Sequence, residues 1–190
     1  FFSKAVLEAL KLVDYYPDIL HTNDWHTALT PVFLDVFYRN DDRYKGIKTV
    51  FTIHNIEFQG RYGTDIIPDI LGLPEWANNL VINSDCVNYM KGGIEASNVV
   101  TTVSETYATE ILDPFYSYGL EGILSERRFK LHGVVNGIDT KLYDPMTDKA
   151  LFVNFDKATV AEKKKENKKA LCRMLNLSYR QVCRVSDFCI

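Results

Sequence analysis

The chain has 190 residues, 46% hydrophobic and 25% charged, an ordinary globular composition that fills one good-sized α/β domain. A formal net charge of −3 excludes binding to nucleic acid or an anionic membrane by charge alone. No apolar run reaches the roughly 18 residues that suggest a membrane span. Cys86, Cys172, Cys183 and Cys189 form no CxxC pair and no metal-ligand rhythm, a pattern of reduced thiols in a cytoplasmic protein. Phe1-Phe2-Ser3-Lys4 has neither an initiator Met nor a signal-peptide pattern, so the chain is expected to start inside a longer protein.

Residues 3–13 are predicted to be helical, with Ala5, Val6, Ala9, Leu10 and Val13 on one face. Pro17 ends this segment, and Ile19 and Leu20 open a short buried strand that closes near Asn23. A second helix carries Ala28, Leu29, Val32, Phe33, Val36 and Phe37 as its apolar stripe, and Thr30-Pro31 suits a first turn. Residues 49–53 form a β-branched strand, 55–63 a loop containing Gly60 and Gly63, and 64–83 short helices punctuated by Pro68, Gly72 and Pro74. Residues 84–97 are predicted to be a helix carrying Val87, Met90 and Ile94, followed by a strand over 99–103. Helices are expected over 105–112 and 119–128. Val134 and Val135 make a last strand before the Asn136-Gly137 turn. Thr159-Val160-Ala161-Glu162 has the pattern of a capping box and opens a Lys-rich helix, whose charge run reads as a solvated face. The alternation of strands and helices predicts a parallel sheet with helices on both faces.

Ligands of open parallel sheets bind beyond the carboxyl ends of the strands. The segments there are Asn23-Asp24-Trp25-His26, His54-Asn55, Ser104 and Asn136-Gly137-Ile138-Asp139. They suit a polyhydroxylated ligand, because carboxylates and amides hydrogen-bond hydroxyls and an aromatic ring packs on the apolar face of a sugar. At Asp24 three roles stay open: general base, orienter of a hydroxyl, or N-cap of the next helix. Trp25 suits a sugar platform or core filler equally, and His54 a ligand contact or a structural histidine. Ser104, ahead of Tyr107, reads as a ligand contact or a routine cap. His21, Asp24 and His26 invite a metal-dependent hydrolase reading, but no HExxH or HxH pattern supports a metal. Gly92-Gly93 lies inside a helical pattern, and no GxGxxG phosphate cradle exists.

At these same residues the chain resembles the bacterial and plant-type glycogen/starch synthase family, from about Pro17 to Leu177. The matching segments are Asp18-Ile19-Leu20-His21-Thr22-Asn23-Asp24-Trp25-His26-Thr27-Ala28 and Phe51-Thr52-Ile53-His54-Asn55-Ile56-Glu57-Phe58-Gln59-Gly60. Asn88-Tyr89-Met90-Lys91-Gly92-Gly93-Ile94 and Val100-Thr101-Thr102-Val103-Ser104-Glu105-Thr106-Tyr107-Ala108 follow. Tyr118-Gly119-Leu120-Glu121-Gly122-Ile123-Leu124 and Val135-Asn136-Gly137-Ile138-Asp139 complete the ordered set.

The resemblance implies an incomplete N-terminal, acceptor-side Rossmann-like domain (residues 1–155) of a two-Rossmann-domain (GT-B) glycosyltransferase. Residues 156–177 would be a helix leading to a second domain. Residues 178–190, with Cys183 and Cys189, form a tail that departs from the family. Such enzymes move glucose from ADP-glucose to the 4-hydroxyl of an α-1,4-glucan (glycogen or a maltooligosaccharide) with retention, and need no metal or other cofactor. By resemblance Asp24 and His54 are the catalytic candidates, and Trp25, Asn55, Ser104, Tyr107 and Asn136 the substrate-binding ones. The arginine, lysine and glutamate that hold the nucleotide in the family's second domain have no counterpart here, so the isolated chain is expected to be nearly inactive. It is also expected to be marginally soluble, because a sheet without its first strand exposes an apolar edge. The alternative is a glucan-binding α/β module without catalysis.

Overall fold

The computed structural model describes residues 1–179; most of the tail expected over residues 178–190, with Cys183 and Cys189, lies outside the described residues. The chain divides into two compact units, Phe1–Asn136 and Gly137–Ile190.

The first unit opens with α1 (Phe2–Leu12), which buries Ser3 and Leu7 and stops where Asp14 turns into the left-handed region at φ 48°. Strand β1 (Ile19–Asn23) follows and leads directly into α2 (Asp24–Thr27). The predicted second helix is α3 (Leu29–Phe33), every residue of which is buried, and it runs on as a wider π-turn over Leu34–Tyr38. A short α4 (Asp42–Lys45), capped by the Asp41 carboxylate, leads into β2 (Lys48–Ile53).

After β2 come β3 (Arg61–Tyr62), α5 (Asn78–Val81), β4 (Ile82–Asn83) and β5 (Cys86–Asn88). The expected helix over 84–97 is corrected here. Its first part is strand β5, which hairpins with β4, and helix α6 (Tyr89–Ala96) begins only after Asn88, whose side chain caps the Lys91 amide. Strand β6 (Val99–Thr102), α7 (Glu105–Glu110), α8 (Pro114–Ser117) and α9 (Glu121–Glu126) follow. The last strand, β7, is Leu131–Gly133 rather than Val134-Val135; Val134 gives one further amide bond to Thr102 and the pairing ends.

Strands β1, β2, β6 and β7 form a parallel sheet in the order β1-β2-β6-β7, and β3, β5 and β4 form a small antiparallel one. The register aligns Thr22, Phe51 and Val100 on one face. That face is covered: Phe51, Ile53 and Val100 pack with Met90, Ile94, Ile111 and Leu124 in one core cluster. A second cluster joins α1, α3, the π-turn and α5 through Leu7, Val32, Leu34 and Val81. The expectation of helices on both faces is corrected for the described residues, since Ile19 and His21 on the opposite face of β1 are exposed and Val50 and Val99 only half-buried.

The Gly92-Gly93 pair is explained by packing. A Cβ on Gly93 would sit 2.9 Å from the Phe51 ring, and one on Gly92 would sit 3.0 Å from Val32 and 3.1 Å from Val81. Alanine at Gly93 gains about 1 kcal/mol of helix propensity but overpacks the core at a cost of about 1–3 kcal/mol. The expected outcome is a lower denaturant midpoint for Gly93→Ala. Gly122→Ala, in α9 with nothing within 4 Å, is expected to raise the midpoint by the equivalent of about 0.5–1 kcal/mol.

In the second unit, α10 (Val160–Met174) buries Cys172, and Asn167 bonds the backbone of Val153 in both directions. The expected capping box is not formed. Thr159 makes no side-chain cap bond, and its hydroxyl instead donates to Asp156, whose carboxylate also takes the Ala158 and Thr159 amides.

Candidate active site

The carboxyl ends of the parallel strands bring several of the predicted residues together. Asp24 lies directly after β1 with φ 53°, a left-handed conformation that a non-glycine residue adopts at a cost and that Asp and Asn tolerate best. This backbone turn sends its carboxylate towards the loop after β2. Asp24 Oδ1 accepts from the His54 amide at 2.8 Å and from the Asn55 amide at 3.3 Å. The carboxylate therefore spans two strand ends. Asn23 is the N-cap residue of α2, and it makes no side-chain cap bond; Thr27 Oγ1 accepts from the Asn23 amide and donates to the Asn23 carbonyl.

The loop after β2 is held further along its length. Asn55 Oδ1 accepts from the Glu57 amide at 3.0 Å, and the Tyr107 hydroxyl accepts a long bond of 3.5 Å from the Ile56 amide. Burial pushes the Tyr107 phenol above its ordinary pKa, so it stays neutral at physiological pH. Ser104 Oγ accepts from the Tyr107 amide at 2.9 Å, which is the capping geometry. Its observed bond is structural, and it reaches the site through Tyr107.

His54 Nε2 lies 2.9 Å from Asn23 Oδ1. A carbonyl oxygen only accepts, so this ring nitrogen is the donor in the pair. His54 and Asn136 line a common hollow of about 260 Å³ with His21, Asn23, Thr52 and Thr101. Its floor is a row of hydrogen bonds across three strands: His21 Nε2 to Thr52 Oγ1 at 2.6 Å, and Thr52 Oγ1 to Thr101 Oγ1 at 2.6 Å. Asp24 buttresses this hollow from outside its lining.

Trp25 sits elsewhere. Its ring stacks on His26 at 4.1 Å between centroids and lines a separate hollow of about 400 Å³ with Phe58, Arg61, Tyr62 and Tyr118. Of the predicted residues, His54 and Asn136 thus share one hollow, Asp24, Asn55 and Tyr107 hold the loop beside it, Ser104 caps the helix carrying Tyr107, and Trp25 faces the neighbouring hollow. The metal reading finds no geometry: His21, Asp24 and His26 point to three different partners, and no three His, Cys, Asp or Glu side chains among the described residues converge on a metal position. No helix among the described residues is long and apolar enough to cross a membrane.

Sequence reasoning placed Asn23 beyond the end of the first strand without a role of its own, whereas it orients His54, and it gave no role to Gln59, which is 3% exposed and engaged at both amide atoms. A polar residue in the middle of an apolar-flanked loop was the available signal for Gln59.

Comparison with known proteins supplies the family. Residues 1–126 match the model of the starch synthase catalytic domain. The glycogen synthase of Caldicellulosiruptor bescii is 45% identical over 179 residues, covering 93% of this chain and 37% of that protein. That of Clostridium acetobutylicum is 47% identical over 180 residues, covering 93% and 38%. Among solved structures, the catalytic domain of starch synthase IV from Arabidopsis thaliana, bound to ADP and acarbose, matches with a TM-score of 0.73 and 36% identity, over 95% of this chain and 37% of that one. The chain therefore spans little more than a third of the length of the relatives it matches. With an α/β fold built on a parallel four-stranded sheet and a family match over residues 1–126, the chain belongs to the starch synthase catalytic domain family.

Proposed function

We propose that this chain forms the acceptor-side part of a retaining glucosyltransferase that moves glucose from ADP-glucose to the 4-hydroxyl of an α-1,4-glucan. The observation that carries the reading is the bond from the His54 amide to Asp24 Oδ1, which ties two strand ends together beside the hollow lined by His54 and Asn136. The relatives' names, and the ADP and acarbose held by the Arabidopsis structure, support a nucleotide and an α-glucan as the two partners. A cytoplasmic location goes with this reading.

Breaking the anomeric bond builds positive charge on the sugar and negative charge on the leaving diphosphate. Fixed dipoles at the sugar lower the first barrier only if they are already in place. The Asp24 bonds and the Asn23–His54 contact would supply that fixed arrangement, and Asn136 would meet the same sugar from the β7 side. The diphosphate needs cationic groups from beyond this chain, so the chain alone is expected to give essentially no turnover.

The test is a chimera in which this segment replaces its counterpart in the Caldicellulosiruptor bescii enzyme, assayed by glucose incorporation from ADP-glucose into glycogen. Activity is expected in the chimera, with a loss of about a hundredfold or more in His54→Ala. An unchanged rate in that variant would remove His54 from the mechanism. Robust turnover by the 190 residues alone would overturn the acceptor-side assignment.

A further inference from the structure

Asn136-Gly137 is the chain's single Asn-Gly pair, and the fold does not restrain it. Pairing of β7 ends with the bond from the Val134 amide to the Thr102 carbonyl, and residues 134–139 are exposed and lie in no helix or strand. Among the described residues, neither the Asn136 side chain nor the Gly137 amide makes a hydrogen bond. Packing does not require the glycine either. A Cβ at Gly137 would meet nothing within 4 Å, and its φ lies outside the left-handed region.

These features together set up a reaction of the chain with itself. The carboxamide of an asparagine is electrophilic at Cγ, and the nitrogen of the next residue can close a five-membered ring on it. A side chain on that next residue shields the nitrogen, and glycine has none. The attack also needs the backbone to rotate, which a helix or a strand ladder prevents and unpaired, exposed backbone permits.

We propose that Asn136 is a self-modification site, where the amide becomes a carboxylate through a cyclic imide with Gly137. The Gly137 nitrogen bonds to Asn136 Cγ, the Cγ–Nδ2 bond breaks, and the side-chain nitrogen takes up the proton lost from Gly137 and leaves as ammonia. Water then opens the ring at one of its two carbonyls. Opening at Cγ gives aspartate on an unaltered main chain. Opening at the main-chain carbonyl gives isoaspartate, with the chain rerouted through the side chain and one methylene longer. No electron changes hands, and water is the sole co-reactant. Asn136 lines the hollow that also holds His54, Asn23 and Thr52. A carboxylate there only accepts, where the amide both donated and accepted, and it carries a negative charge. On the glucan reading of that hollow, the modification removes a donor to the sugar and ends transfer.

The modification is read by mass and needs no activity. The 190-residue chain and free synthetic peptides spanning 131–142 and 78–89 are incubated side by side in mildly alkaline buffer, then analysed by chromatography and mass spectrometry. Asn83-Ser84 is the internal control, because it sits at the end of β4 and Asn83 Nδ2 donates to the Gly119 carbonyl at 3.3 Å. Asn136 in the chain is expected to convert within about threefold of its free-peptide rate, with isoaspartate as co-product, while Asn83 converts at least about tenfold more slowly than in its peptide. Gly137→Ala is expected to slow conversion at least about tenfold, the equivalent of about 1.4 kcal/mol in barrier. Its thermal melt should match the parent's, because the added methyl meets open space. In the chimera, transfer is expected to fall in step with the converted fraction, and Gly137→Ala to hold its starting rate. An Asn136 that keeps its mass while the free peptide converts overturns the site, as does an equal rate in Gly137→Ala. Transfer that stays constant while Asn136 converts overturns its effect on the hollow. A chimera inactive from the outset counts against the glucan reading, and the mass assay on the chain still decides the modification.

Discussion

Replacing Asp24 with alanine is expected to destabilise the chain by about 2 kcal/mol and, in the chimera, to lower glucose transfer by about a hundredfold. Two physical effects combine in the stability change. Alanine removes a charged acceptor from the His54 and Asn55 amides, and bonds to charged groups are worth about 1.5–3 kcal/mol, discounted here because both amides lie near solvent. Alanine also keeps a Cβ at φ 53°, where L-residues other than Asp and Asn are strained by roughly 1–2 kcal/mol. Asp24→Asn keeps an acceptor oxygen and the tolerant backbone, so its loss should stay below about 1 kcal/mol. Asp24→Gly removes the acceptor but relieves the strain, and should fall between them. Urea melts of the three variants give the order Asn, Gly, Ala from most to least stable. Alanine as stable as asparagine would mean that the carboxylate holds nothing. The rate loss follows from geometry, since a displacement of about 1 Å in a group that positions substrate can cost about a hundredfold.

Gly133→Ala is expected to be the most disruptive single methyl in the chain. A Cβ on Gly133 would lie 2.4 Å from the backbone N and Cα of Glu105 and from the carbonyl carbon of Ser104. The obstacle is backbone at the junction of β6 and α7, not the end of a flexible side chain. The helix start carrying Ser104 and Tyr107 must therefore move as a body. A loss of about 3 kcal/mol, at the upper end of ordinary overpacking, is expected in the urea midpoint. Gly137→Ala, with nothing within 4 Å, should leave the midpoint nearly unchanged. Equal midpoints for the two variants would contradict the close strand-to-helix contact.

The strands after which the site residues sit were legible because Ile19–Asn23, Lys48–Ile53 and Val99–Thr102 are compact β-rich runs. The polar residues that follow them could then be placed at one end of the sheet, because parallel strands have their carboxyl ends on the same side. Other features had no local signal. β7 was displaced because Leu131-His132-Gly133 has weak strand propensity beside Val134-Val135, and its glycine is required by the approach of Ser104 and Glu105, far away in sequence. β5 was absorbed into a helix because Val87, Met90 and Ile94 have helical spacing, although Val87 belongs to the hairpin. Asp24 was read as a possible cap because position alone cannot reveal a left-handed turn that sends the carboxylate across to His54. The second hollow joins Trp25, Phe58 and Tyr118, which no periodicity connects.

Hydrogen exchange at the His54 amide tests the central arrangement most directly, because that N–H makes the shorter of the two amide bonds from the loop after β2 to the Asp24 carboxylate. In the unsubstituted chain it is expected to exchange slowly, and in Asp24→Gly it should lose that protection while the amides of Phe51 and Ile53 in β2 keep theirs. A His54 amide that exchanges freely in the unsubstituted chain, or stays protected after the carboxylate is removed, would contradict the anchoring of the loop after β2 by Asp24.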